Sequence, residues 1–333
     1  MPFETERIIA TQAVVKACRL CETVRSSLSS GESILKKDRT PVTVADFGSQ
    51  ALINLELMSS FNYPVMAEEE GSPLQSPDYN HIKSQVLEYV DGMYPGLAEE
   101  KILAAINNSN YKGGHTGRFW TLDPIDGTKG FLRNEQYAIA LALIENGKVV
   151  LGILGCPNLP RNLENPDAQK GCLFIAVRGR GTVMRQLDDP EERPVVVADI
   201  DDPSRAIVCE SVEPSHSSQT DSDKFREILK IQSPPIRMDS QCKYGLVARG
   251  DSSIYLRIPT SSGYTEKVWD HAAGWIIVEE AGGRVTDVFG NPVDFSVGRG
   301  LECNKGIVAT NRRLHSRIIS ALKDGVRHLF EKL

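Results

Sequence analysis

A mixed α+β/α/β chain of two lobes is predicted by three features of the sequence. These are long helical periodicities before residue 60, apolar strand segments between 119 and 184, and short strands alternating with helices after a Pro- and Asp-rich stretch at 187–194. Residues 4–30 repeat apolar side chains at helical spacing behind an acidic first turn, and helical periodicity returns over 43–60. Val65-Met66 is a short apolar strand that runs into the carboxylates of Ala67-Glu68-Glu69-Glu70-Gly71. The segment 74–115, rich in Ser, Asn, Gly and Tyr, carries a helical stretch near 81–107, and its ends are expected to be loops beside the site that shield it. Strands follow at 119–122, 137–145 and 148–155, the last two joined by Asn146-Gly147, a dipeptide suited to the left-handed backbone of a tight hairpin turn. Residues 171–184 continue this sheet, which is expected to be largely antiparallel. Beyond the linker, helices are predicted near 221–231, 270–281 and 311–331. The expected division is a helix-and-sheet lobe over 1–190 and an α/β lobe over 191–333.

At 333 residues with 41% hydrophobic content the chain can bury a substantial core. A formal charge of −6 argues against a nucleic-acid polymer as partner, because polyphosphate backbones call for a basic face. No apolar run is long enough to cross a bilayer, so no membrane partner is expected. The first residues read as a helix of the fold and not as a secretory or organellar presequence. Seven cysteines without a regular framework suit a reducing compartment, so a cytoplasmic location without disulfides is expected. Cys18 and Cys21 form a CxxC on a helix, without a second pair, and packing is the expected role.

The chemistry is concentrated in Asp123-Pro124-Ile125-Asp126-Gly127-Thr128. Two carboxylates three residues apart can converge on a hard cation, and Gly127 lets backbone N–H groups come close to an anion. Asp, Pro and Gly are also ordinary turn residues, so this string needs companions. The Glu run at 68–70 and Trp269-Asp270-His271-Ala272-Ala273-Gly274 provide them, from separate segments and each at an element end. Taken alone, the Glu run reads as a solvated loop and Asp270 as a helix N-cap.

Together these motifs resemble the inositol monophosphatase superfamily of Mg²⁺-dependent, lithium-sensitive phosphatases, and within it the 3′(2′),5′-bisphosphate nucleotidases. Val42-Thr43-Val44-Ala45-Asp46 is similar to the segment that carries the family's catalytic aspartate. The resemblance implies a layered α-β-α-β-α sugar-phosphatase fold with the site between the lobes. It implies two or more Mg²⁺ ions ligated by Glu68, Asp123, the Ile125 carbonyl, Asp126 and Asp270, with Asp46 and Thr128 handling the attacking water. The family usually places glycine before its paired glutamates, whereas Ala67 stands here, which keeps Glu69 as the alternative to Glu68. Inhibition by Li⁺ is implied, with Na⁺ a second candidate.

Substrate class is read from the second half of the chain. Arg257 within a strand-like run reads either as a solvent-face cation or as an anion contact, and Ser240 and Lys243 read as a solvated turn or as contacts. His216, Ser240, Lys243 and Arg257 resemble the positions that hold adenosine and its second phosphate in the bisphosphate nucleotidases, and there Gly127, Thr128 and Asp270 also touch the nucleotide. A substrate with two phosphates needs a metal-built site for the group cleaved and Lys or Arg donors for the group retained. The implied reaction is removal of the 3′-phosphate of adenosine 3′,5′-bisphosphate to give AMP, with 3′-phosphoadenylyl sulfate as a second substrate. A link to sulfate assimilation and salt tolerance goes with it. An inositol (poly)phosphate 1-phosphatase would share the metal ligands, and a non-catalytic nucleotide sensor would share the pocket. A monomer acting on a small nucleotide is expected.

Overall fold

The computed structural model describes residues 2–27, 33–35, 41–165, 167–215, 217–260 and 263–325. Its elements, in chain order, are α1 (Glu4–Ser27), β1 (Ser33–Leu35), β2 (Pro41–Thr43), α2 (Val44–Ser60), β3 (Val65–Ala67), α3 (Asn80–Met93), α4 (Glu99–Asn107), β4 (Arg118–Asp126), α5 (Thr128–Leu132), β5 (Ala138–Glu145), β6 (Lys148–Pro160), β7 (Lys170–Val177), β8 (Thr182–Gln186) and β9 (Arg193–Val195). They continue with β10 (Val208–Glu210), α6 (Gln219–Ile228), β11 (Ile236–Arg237), α7 (Cys242–Ala248), β12 (Ile254–Arg257), α8 (Ala272–Glu280), β13 (Arg284–Thr286), β14 (Ile307–Thr310) and α9 (His315–Gly325).

The large sheet has the order β3-β4-β5-β6-β7-β8-β9 and is antiparallel except where β3 runs parallel to β4. Asn146 and Gly147 both take positive φ, and Glu145 pairs with Lys148 across them, so the hairpin forms where the sequence places it. Residues 171–184 continue the sheet as expected, as a hairpin of two strands, β7 and β8, turned at Gly179 and Gly181. The helical stretch predicted over 81–107 is divided into α3 and α4 at Pro95-Gly96, where Gly96 has φ 82. Arg193–Val195 pairs with β8, so the large sheet takes in residues beyond 190; Pro194 is tolerated because β9 is an edge strand. The predicted helix ends at 28–30 and 326–331 lie outside the described residues.

Alternation along β5 explains the layering. Ile139, Leu141 and Leu143 enter a core with α1, α2 and α3, whereas Ala138, Ala140 and Ala142 line the opposite face. Small side chains there let α8 come close: a Cβ on Gly152 of β6 would meet Ile276 Cγ2 at 2.4 Å. Enlarging an alanine on this face would overpack it at a cost of about 1–3 kcal/mol. α7 and α8 fill the space between the large sheet and a second sheet of order β11-β10-β12-β14-β13, in a core that includes Phe174, Tyr244 and Ile277. The far face of the small sheet is covered by α6 and α9 through Val208, Phe225, Leu256 and Ile318. The molecule is therefore a layered α-β-α-β-α structure. Cys18 and Cys21 are buried in the first core, where burial pushes both thiols up. Among the described residues, no helix is long and apolar enough to cross a membrane.

Candidate active site

The site is built at the end of β4. Asp123 pairs with Ala140 and Asp126 with Ala138, so β4 has one residue more than β5 over this stretch. In a regular strand, side chains three residues apart point to opposite faces, and the extra residue of a bulge removes that opposition. Pro124 gives up no ladder donor that the bulge would need, and its carbonyl accepts from Ser49 Oγ of α2 at 3.0 Å. Gly127 follows with φ 86, a left-handed conformation that suits glycine, and a Cβ there would stand 3.0 Å from Ser240 Cβ. Thr128 opens α5, and its hydroxyl donates to the Ile125 carbonyl at 3.2 Å. A carbonyl has two lone pairs, so one remains for a cation.

The neighbouring strand adds an acid beside Asp123. β3 is parallel to β4 with Ala67 opposite Leu122, and the Glu68 N–H donates to the Leu122 carbonyl at 3.2 Å. Gln50 of α2 holds the Glu69 backbone from both sides, its Nε2 donating to the carbonyl at 2.9 Å and its Oε1 accepting from the N–H at 3.3 Å. Glu68 is partly exposed and is among the main charges raising Asp123, Asp126 and Asp270, while the Glu69 side chain is buried. Asp46, in the first turn of α2, is buried and also bears on Asp123.

Asp270 arrives from the second lobe. It precedes His271, the residue that caps α8, so its carboxylate is not engaged in the helix cap that the sequence allows for. Gln241 links the two lobes here. Its backbone N–H donates to Asp126 Oδ2 at 2.5 Å, its Nε2 donates to the Trp269 carbonyl at 2.8 Å, and its Oε1 accepts from the Gly274 N–H in the first turn of α8 at 3.2 Å. An uncharged glutamine gave no sequence signal for this role.

The electrostatics describe a site where burial and mutual repulsion of the acids outweigh the nearby cations. Burial, followed by the charges of Glu68, Asp126, Asp270 and Asp46, holds Asp123 well above the usual carboxylate range. Burial raises Asp126 to about 6 against the opposing pull of Lys243 and Arg257. Burial raises Asp270 also, with Arg257 opposing and Asp126 and Glu68 adding to the rise. Asp123 Oδ1 is buried with no hydrogen-bond partner among the described residues. A buried acceptor left unpaired is costly, and a divalent cation would satisfy it. The donors are all oxygens, which fits a hard cation such as Mg²⁺. A tighter group, Glu266, Asp270 and His271, has ligand atoms within 4.8 Å of one another. Arg257 and His271 already occupy both Glu266 oxygens, so that group is an ion-pair network beside the site.

The residues expected to contact the nucleotide lie next to the carboxylates. Ser240 takes a positive φ of 68, and its Oγ accepts from the Cys242 N–H at 3.2 Å. Lys243 is buried, which lowers its ammonium pKa, and donates to the carbonyls of Met238 at 2.9 Å and Ser240 at 2.6 Å. Arg257 ends β12, and its Nη2 is 4.0 Å from Asp270 Oδ2. His216 lies outside the described residues. The loop before it is held by ion pairs from Lys129 and Arg133 to Glu213, at 3.1 and 2.9 Å. The structure thus brings Asp46, Glu68, Asp123, Asp126, Thr128, Asp270, Ser240, Lys243 and Arg257 into one region from both lobes.

A layered α-β-α-β-α protein with buried acids gathered at a strand bulge belongs, by fold and site, to the sugar-phosphatase class. Residues 4–327 match the inositol monophosphatase family. The chain is 44% identical over 343 residues to the 3′(2′),5′-bisphosphate nucleotidase of Oryza sativa, covering 98% of this chain and 96% of that protein. It is 42% identical over 350 residues to the protein of the same name from Emericella nidulans, covering 97% and 99%. Among solved structures, an inositol monophosphatase from Anabaena (Nostoc) superposes with a TM-score of 0.63 at 19% identity, covering 98% of each chain. This chain belongs to the inositol monophosphatase family.

Proposed function

We propose that this protein is a metal-dependent 3′(2′),5′-bisphosphate nucleotidase. It removes the 3′-phosphate of adenosine 3′,5′-bisphosphate to give AMP and phosphate, and acts on 3′-phosphoadenylyl sulfate as a second substrate. The observation that carries this reading is the meeting of two unlike halves in one site. Four acids from three segments, Glu68, Asp123, Asp126 and Asp270, adjoin two cations, Lys243 and Arg257, whose charges act directly on Asp126. A phosphatase for a simple monophosphate needs only the acidic half. The names of the curated relatives agree with the two-phosphate reading.

Glu68, Asp123, the Ile125 carbonyl, Asp126 and Asp270 are the residues that would hold two or more Mg²⁺ ions. Bound there, Mg²⁺ neutralises phosphate oxygens and lowers the pKa of water. The chain's own residues do the remaining work. Asp46 accepts the proton of the attacking water, and Thr128 orients that water by accepting from it through a hydroxyl oxygen whose own proton is given to the Ile125 carbonyl. Gly127, Thr128 and Asp270 border the nucleotide, with Ser240 and His216 beside it, and Lys243 and Arg257 serve the retained phosphate. Li⁺ inhibits by competing for a weakly held Mg²⁺ position, with Na⁺ a second candidate. The protein acts as a cytoplasmic monomer on a small nucleotide, in nucleotide turnover tied to sulfate assimilation and salt tolerance.

The test compares Mg²⁺-dependent phosphate release from adenosine 3′,5′-bisphosphate and from inositol 1-phosphate. A clear preference for the nucleotide is expected. Preference for the inositol phosphate would assign the chain to the family's other activity, and no release from either would leave a nucleotide sensor.

A further inference from the structure

Arg257 is fixed by Glu266, a residue outside the motifs read from the sequence. Its Nε donates to Glu266 Oε1 at 2.8 Å, and its Nη2 lies 2.8 Å from Glu266 Oε2, a two-point pairing that sets the plane of the guanidinium. Glu266 is buried, and its Oε2 is also 3.0 Å from His271 Nε2. A carboxylate only accepts, so Nε2 carries the proton and Nδ1 is the acceptor. The Tyr244 hydroxyl, 2.8 Å from Nδ1, therefore donates to it. Tyr244 is locked in turn. It packs edge-on against Tyr255 with ring centroids 4.9 Å apart, and a Cβ on Gly274 would lie 2.1 Å from its ring. A hydrogen-bonded line thus runs from α7, which carries Lys243, through Tyr244, His271 and Glu266 to Arg257. Arg257 Nη1 is left without a partner among the described residues, in a side chain that keeps partial exposure.

We propose that Glu266, His271 and Tyr244 are positioning residues for the retained phosphate: they hold Arg257 so that its Nη1 faces that group at a fixed distance from Lys243 and Asp270. The proposal rests on the bisphosphate reading of the site and deepens it. An arginine already paired with a buried glutamate has little net charge to offer, so its value to an anion lies in the direction of its remaining N–H groups. Losing Glu266 would free the guanidinium to rotate and remove that direction. The depressed pKa of Glu266, about 2 with the Arg257 charge as the main lowering influence against burial, agrees with a carboxylate that stays ionised in this line.

The test uses two substrates that differ only in the retained group, adenosine 3′,5′-bisphosphate and adenosine 3′-monophosphate, with full-length protein and Mg²⁺. The wild type comes first: kcat/KM should favour the bisphosphate strongly, and equal values would overturn both this proposal and the reading beneath it. In Glu266→Gln, whose amide N–H groups oppose the donors of Arg257 and His271, the preference should fall about ten-fold or more, mainly through KM for the bisphosphate. Arg257→Gln should do the same, and the double variant should lose no more preference than Arg257→Gln alone. Tyr244→Phe, which removes one hydroxyl from a packed ring, should reduce the preference about two- to three-fold and serves if Glu266→Gln does not fold. With wild-type preference established, equal losses on both substrates, or additive losses in the double variant, would refute the positioning role.

Discussion

The guanidinium of Arg299 lies over the indole of Trp269, 4.6 Å from the ring centroid, and from there its Nη2 donates to the Ala67 carbonyl at 2.7 Å. Its Nη1 reaches the carbonyls of Ser109 and Tyr111, each at 3.3 Å. Ala67 precedes Glu68 and Trp269 precedes Asp270, so one side chain from the second lobe touches the neighbours of two acids of the site, through the backbone at Ala67 and through the indole at Trp269. Arg299→Gln should raise the Mg²⁺ concentration for half-maximal activity about ten-fold, as loss of an outer support of a metal site does. Titrating Mg²⁺ against both activity and thermal shift checks this. An unchanged half-saturation point in both would remove Arg299 from the site.

Asp123 is the acid whose removal should help the fold and destroy the function. Its folded-state pKa is raised, so the native state binds protons that the unfolded chain has released, and its contribution to stability falls as pH rises above the ordinary carboxylate pKa of about 4. In the presence of a chelator, Asp123→Asn should therefore stabilise the protein by about 1–2 kcal/mol near pH 7.5, with the gain vanishing toward pH 4. Phosphate release should drop at least about a hundred-fold. Urea unfolding across pH and a phosphate assay measure the two halves, and a destabilised variant at pH 7.5 would contradict the electrostatic picture.

Asp270→Asn should likewise keep its fold, because the carboxylate does not cap α8. Activity should fall sharply even at saturating Mg²⁺. Full activity there would rule out the ligand role.

Lys243 and Arg257 should separate in their phenotypes although both are assigned to the second phosphate. Lys243 is buried and satisfies two backbone carbonyls, so Lys243→Ala leaves acceptors unpaired and should cost about 1–3 kcal/mol of stability as well as raising KM for the bisphosphate. Arg257→Ala should raise KM for the bisphosphate far more than for a small monophosphate. Thermal unfolding alongside kinetics on the two substrates distinguishes them. Equal KM losses on both substrates for Arg257→Ala would refute the phosphate clamp.

The parts of this site that were legible in the sequence are those with a charge at an element end. Asp123 and Asp126 stood out as carboxylates beside Pro and Gly, Glu68 and Asp270 as acids at element ends in separate segments, and the hairpin at Asn146-Gly147 was written in two residues. The division of 171–184 into two strands was hidden because its turn lies in Arg178-Gly179-Arg180-Gly181, whose charges are compatible with an exposed strand. Gln241, Arg299 and Glu266 were missed for another reason. Gln241 and Arg299 act through Asp126 and Ala67, far away in the chain, so their roles exist only once the layers have met, and Glu266 acts through Arg257 only once the loop after β12 has folded back. The bulge that aligns Asp123 with Asp126 is likewise a property of pairing with β5, which no single segment displays.

His315 gives the fold a pH limit away from the active site. Its Nε2 is 3.0 Å from Thr286 Oγ1, a hydroxyl that already donates to the Asp287 carbonyl at 2.8 Å, so Nε2 must be the donor in that pair. Thr310 Oγ1, 3.0 Å from Nδ1, then donates to the ring. A second proton on the ring would break this arrangement at the start of α9. Burial, with Arg284 and Arg312 adding to it, lowers the pKa to about 4. Unfolded, the imidazole binds its proton near 6.5, so between these values the unfolded state holds more protons and stability is lost as pH falls. Wild type should lose on the order of 2 kcal/mol more than His315→Gln between pH 7.5 and pH 4.5 in urea unfolding. Parallel stability curves for the two proteins would show that the ring titrates normally in the fold.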